Sequence, residues 1–73
     1  LTKGEYMITI TGSSAFTKAE YSASASTLTV FYNKGTYAYH GITDTDVMKL
    51  QNATSKGHEL RSLIEGKTFT KVA

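Results

Sequence analysis

An α+β fold, with a three- to four-stranded antiparallel sheet and two short C-terminal helices packed on one face, is predicted by three features of this chain. Apolar and aromatic residues alternate with period two up to His40, as half-buried strands do. From Ile42 the period lengthens to about 3.6, the spacing of an amphipathic helix. Neither a repeat nor a linker interrupts the 73 residues, so residues 1–73 form one domain.

The elements follow in order. Tyr6, Ile8 and Ile10 share a face of a first strand over residues 6–11, which Gly12-Ser13-Ser14 breaks. Residues 15–21 form a second extended segment, although Lys18-Ala19-Glu20 also tolerates a helix. Ser22-Ala23-Ser24-Ala25-Ser26 has no bulky side chain to bury and is expected to be an exposed loop. The strongest strand is Thr27–Tyr32, rich in β-branched and aromatic residues, with Leu28, Val30 and Tyr32 on one face. Asn33-Lys34-Gly35 turns the chain into residues 36–40, and Gly35 can supply a positive φ. An even-numbered loop places Tyr37 and Tyr39 on the face of Leu28 and Val30; an odd loop with a bulge changes this.

Thr43 is the expected N-cap of a helix over residues 44–53, with Asp46 at N3 completing a capping box. Ile42 and Val47 are spaced as a hydrophobic staple, and Asp44 and Asp46 suit the positive end of the helix dipole. Ser55 is a candidate cap for a second helix with Leu60, Leu63 and Ile64 as its apolar stripe and Gly66 at its C-terminal end. Residues 68–72 can return as an edge strand.

Composition narrows the function. A chain this short buries only roughly 60% of its unfolded surface, so its core is small. Cysteine is absent, which removes disulfides and thiolate metal sites and fits a reducing compartment. Seven lysines and one arginine face six acids for a net charge of +2, a weak attraction for a phosphate backbone. No apolar run approaches the ~20 residues of a membrane span, and the N-terminus has no signal-peptide pattern. A cytoplasmic protein without membrane association is expected. The chain begins at Leu1, so it is read as a fragment or as carrying added residues, with 1–6 flexible and Met7 a candidate native start.

The sequence resembles the KTSC domain, a short module found alone in bacterial and phage proteins and at the C-terminus of some lysyl-tRNA synthetases. The resemblance is carried by Ser13-Ser14, Tyr21, Leu28-Thr29-Val30-Phe31-Tyr32, the turn at Asn33-Lys34-Gly35, the Tyr37-Ala38-Tyr39 motif, Gly41-Ile42 and Ala53-Thr54-Ser55-Lys56-Gly57. It covers roughly residues 13–72. Arg61 stands where the family often has asparagine, and Glu65 follows Ile64 where the family often has a basic residue. The resemblance implies the α+β fold and, through the synthetase context, nucleic-acid binding.

Seven residues are candidates for a binding surface. Tyr37 and Tyr39 form either a base-stacking platform or part of the core beside Leu28 and Val30, and the shortage of other core residues favours the core. Phe31 and His40 lie on the opposite sheet face, as a contact patch or under cover of the N-terminal strand or a twin subunit. Lys34, Lys56 and Arg61 are candidate phosphate contacts, or solubilising charges on turns and helices. Catalytic residues and cofactors are not expected: no serine, histidine and acid form a recognisable set, and His40 and His58 lack metal-ligand companions. Gly66-Lys67-Thr68 is not a P-loop, because Arg61 stands at the required glycine and a helix precedes it. Asn52-Ala53-Thr54 matches a glycosylation sequon only by accident of spacing.

The expected function is therefore a non-enzymatic binding module that weakly engages RNA or single strands, with binding that weakens steeply as salt is added. The alternative is a protein-interaction module, such as a small phage-type protein that binds a host factor or forms a homodimer.

Overall fold

The computed structural model describes residues 7–12 and 14–73. The expectations for residues 1–6, for Tyr6 in the first strand and for Ser13 lie outside the described residues. The chain runs β1 (Met7–Thr11), β2 (Lys18–Ser22), β3 (Thr27–Tyr32), β4 (Gly35–His40), α1 (Asp44–Gln51), α2 (Lys56–Ile64) and β5 (Phe69–Lys71).

The sheet has five strands in the order β1-β2-β3-β4-β5, all antiparallel, rather than the three or four expected. All five extended segments of the sequence pair, and the last of them, β5, falls within the edge strand expected over residues 68–72. It forms because the outer edge of β4 presents unpaired backbone groups. Tyr37, Ala38 and Tyr39 pair with Lys71, Thr70 and Phe69. Further hydrogen bonds extend the pairing: the His40 amide donates to the Thr68 carbonyl at 2.9 Å, and the Thr36 amide to the Ala73 carbonyl at 2.9 Å.

The β3–β4 turn settles the register. Tyr32 lies opposite Gly35, Val30 opposite Tyr37 and Leu28 opposite Tyr39, which leaves a two-residue turn at Asn33-Lys34. An even loop keeps side-chain parity, so Tyr37 and Tyr39 fall on the face of Leu28 and Val30.

That face carries the core. Ile10, Ala19, Tyr21, Leu28, Val30 and Tyr39 form one buried cluster with Val47 and Leu50 of α1 and Leu60 and Leu63 of α2. Two loop residues join them, Phe16 from the β1–β2 connection and Ile42 ahead of α1. Extended pairing begins only at Lys18, because Phe16 drops into the core and the Thr17 amide bonds the Phe31 carbonyl at 2.7 Å. The serine-alanine connector is shorter than expected. Ser22 belongs to β2, Ala23 packs against the core, and Ser26 takes a left-handed φ of 51° while its carbonyl accepts from the Ile42 amide.

The first helix starts as its caps require. The Asp46 amide donates to Thr43 Oγ1 at 3.1 Å, and the Thr43 amide donates to Asp46 Oδ2 at 3.2 Å. Ile42 and Val47 are both fully buried beside this box. The helix ends at Gln51, two residues before the expected end, and Asn52 forms its C-cap. Ser55 occupies the N-cap of α2 without a side-chain cap hydrogen bond. Gly66 follows the Glu65 C-cap at φ 80°, a conformation that glycine adopts without a Cβ penalty. Among the described residues no helix is long and apolar enough to cross a membrane.

Candidate functional site

The half-covered end of the helix-side face holds four aromatic rings. Tyr32 meets Tyr37 edge to face, with centroids 5.8 Å apart and planes at 72°. Tyr37 stacks on Tyr39 at 6.5 Å and 28°, and both contact Phe69 of β5 at 5.7 and 5.8 Å. The cluster runs from interior to surface. Tyr39 is 8% exposed and Phe69 is 58% exposed, with Tyr32 and Tyr37 half-buried between these extremes. Register explains the gathering: Tyr37 and Tyr39 share a face by period two, and antiparallel pairing sets Phe69 beside Tyr39.

Tyr32 Oη and Tyr39 Oη lie 3.1 Å apart. Burial pushes the Tyr32 phenol well above its usual range; the hydrogen bond to Tyr39 and the charges that Tyr39 and Tyr37 would carry add to this. The hydroxyl therefore stays protonated throughout the physiological range.

Tyr32 also separates two surface cavities. One, of about 540 Å³, lies between Ala15 in the β1–β2 loop, Tyr32, and His58, Leu60, Arg61 and Ile64 of α2. The other, of about 370 Å³, is bounded by Ala15, Tyr32, the turn at Asn33-Lys34-Gly35 and Tyr37. One cavity thus has Arg61 on its wall and the other Lys34. Neither cation forms an ion pair among the described residues, in contrast to Lys18, which lies 3.3 Å from Glu20. Glu65, the C-cap of α2, shares a surface groove with His58, Arg61 and Ser62.

The seven sequence candidates separate into groups. Lys34, Tyr37 and Arg61 come together around Tyr32. Tyr39 supports them from the core. Lys56 opens α2 but lines neither cavity. Phe31 and His40 share the other sheet face without forming one patch. Phe31 pairs with Thr36 at the turn end of the hairpin and His40 with Thr27 at its far end, roughly 13 Å away at the usual strand rise. Each is engaged locally. The Lys18 ammonium sits 4.8 Å from the centre of the Phe31 ring, and His40 bridges strands through Thr70 at 3.0 Å and Thr27 at 3.5 Å.

A KTSC domain family model matches residues 12–69. The chain belongs to the KTSC domain family. It is similar to the crystal structure of a KTSC domain protein from Yersinia pestis, with 25% identity, a TM-score of 0.80, and coverage of 93% of this chain and 100% of that one. Comparison with curated proteins finds no match. In this KTSC domain the two tyrosines of the Tyr-x-Tyr motif diverge. Tyr39 belongs to the buried cluster, whereas Tyr37 packs against its margin and is half-buried.

Three residues of the site were not among the sequence candidates. Tyr32 was legible, since period two already placed it with Leu28 and Val30. His58 and Phe69 carried no local signal; they arrive through helix packing and edge pairing.

Proposed function

We propose that this KTSC domain is a non-enzymatic binding module that holds single-stranded nucleic acid, RNA in particular, on the surface around Tyr32. The observation that carries this reading is the placement of two half-buried tyrosines, Tyr32 and Tyr37, with two cations, Lys34 and Arg61, that form no ion pair among the described residues. Stacking on an aromatic ring tolerates any base, and each neighbouring cation attracts a phosphate. His58 adds an imidazole to the Arg61 side, and Phe69 extends the aromatic surface at the β5 edge.

With two cations on phosphates, log K should fall against log salt with a slope of roughly −1.4 for a single strand, about a sevenfold loss between 50 and 200 mM. Fluorescence anisotropy with labelled uridylate and deoxythymidylate decamers at several salt concentrations measures this. Lys34→Ala and Arg61→Ala should each reduce the slope by about 0.7. Absence of any salt-sensitive signal at tens of micromolar protein would overturn the reading.

A protein-interaction module remains the second reading, supported by the sheet face opposite the core. Phe31 lies there under Lys18, and the buried residues of both helices belong to the other side. Light scattering that returns a strict monomer, together with a pull-down that recovers nothing, would count against this reading.

A further inference from the structure

We propose that the site takes two consecutive nucleotides, one on either side of Tyr32. This rests on the nucleic-acid reading above and adds to it a length and a polarity of contacts. The two cavities, of about 540 and 370 Å³, share only Ala15 and Tyr32. Both are of a size that small-molecule sites occupy. Each combines the Tyr32 wall with one cation of its own, Arg61 in the larger and Lys34 in the smaller. Each can therefore hold a base against an aromatic side chain and a phosphate against a charge.

Tyr32 is a fixed divider. Its ring is held edge-on to Tyr37, and its hydroxyl is held by that of Tyr39, which is 8% exposed and anchored in the core. The hydroxyl pair carries two protons and uses one between its members. When Tyr39 is the donor, the Tyr32 O–H is left to reach an acceptor on the ligand, such as a base carbonyl or a ribose oxygen. Beyond the larger cavity, Glu65 at the C-cap of α2 lies on the groove shared with Arg61, and its negative charge disfavours a third phosphate in that direction.

The test is a competition series against a fluorescein-labelled uridylate decamer at 50 mM salt. Its competitors are uridine monophosphate and the 5′-phosphorylated di-, tri- and tetranucleotides of uridine. The dinucleotide should compete roughly tenfold better than the monophosphate, within the range expected for one added stacked base. The tri- and tetranucleotides should lie within about twofold of the dinucleotide. In Tyr32→Ala, which merges the two cavities, the step from one nucleotide to two should disappear. In Tyr32→Phe, which keeps the ring, it should remain, and this variant guards against loss of folding in the alanine variant. Affinity that climbs by equal steps through the tetranucleotide, or a dinucleotide no better than the monophosphate, overturns the two-nucleotide site. A decamer that binds salt-sensitively with no competition from the short oligomers overturns this inference and leaves the nucleic-acid reading standing. A decamer that does not bind overturns both.

Discussion

The hydroxyl of Tyr21, on the second strand, donates to the Asp44 carboxylate at 3.0 Å, at the first residue of α1. The same hydroxyl lies 3.0 Å from the Ile42 carbonyl. A side chain only 1% exposed thus reaches from the middle of the sheet to the start of the helical half. The contact joins the two halves of the fold where the chain changes period.

Tyr21→Phe removes this O–H without creating a cavity, and takes one hydrogen bond from the Ile42 carbonyl and from Asp44. Loss of a hydrogen bond with a charged partner predicts a destabilisation of about 1–3 kcal/mol. Urea unfolding should show a lower midpoint at an unchanged slope, as expected when the native state alone is affected. An unchanged midpoint would mean that water replaces the hydroxyl at no cost.

The Thr43–Asp46 capping box is exposed, so its loss changes little besides the helix start. Thr43→Ala should cost about 1 kcal/mol. For a domain of this size that lowers Tm by roughly 4–8 °C in a thermal scan followed by circular dichroism. Thr43→Ser should recover most of it, because the serine hydroxyl accepts the same amide. Equal loss in both variants would assign the effect to the threonine methyl rather than to the cap.

Gly12 ends β1 where the chain doubles back, and a Cβ there would overlap the carbonyls of Phe16 and Thr17. These are backbone atoms on a segment held by buried Phe16 and by the Thr17–Phe31 hydrogen bond, so they cannot swing aside. Gly12→Ala should destabilise by about 1–3 kcal/mol, as overpacking does. A stability equal to that of the parent, read from the urea midpoint, would mean that the β1–β2 loop shifts freely.

Tyr32 gives the fold a sensitivity to alkali. Its phenol is raised in the native state, so folding favours the protonated form. The sign follows from linkage: this contribution is complete below the unfolded tyrosine value of about 10 and is lost as the pH climbs above it. The urea midpoint of the parent should therefore fall above about pH 10 more steeply than that of Tyr32→Phe. Parallel curves for the two proteins would remove Tyr32 as the cause.

Much of this architecture was legible from residue order, and for a common reason. Thr27–Tyr32 emerges with the expected bounds because alternation of β-branched and aromatic residues is a local signal. The cap at Thr43, the staple of Ile42 and Val47, and the end of α2 at Gly66 depend on residues a few positions apart. The Tyr37 and Tyr39 face followed from parity once the turn was even. The KTSC resemblance drew on the same short-range features in series.

Other outcomes depended on residues far apart in the chain. Phe69 had no neighbourhood that marked it as part of an aromatic cluster; the open edge of β4 recruited it. Phe16 looked like part of a strand and became core, because the loop around Gly12 turns it inward. Phe31 and His40 shared a face but not a place, since hairpin register sets them at opposite ends. Packing of α2 near Ala15 and Tyr32 created the larger cavity and put Arg61 on its wall, while Lys34 lines the smaller one that shares Tyr32. Local periods specify elements and faces, because backbone sterics act over a few residues. A cleft between a loop, a strand and a helix exists only after burial of the shared core has chosen where they meet.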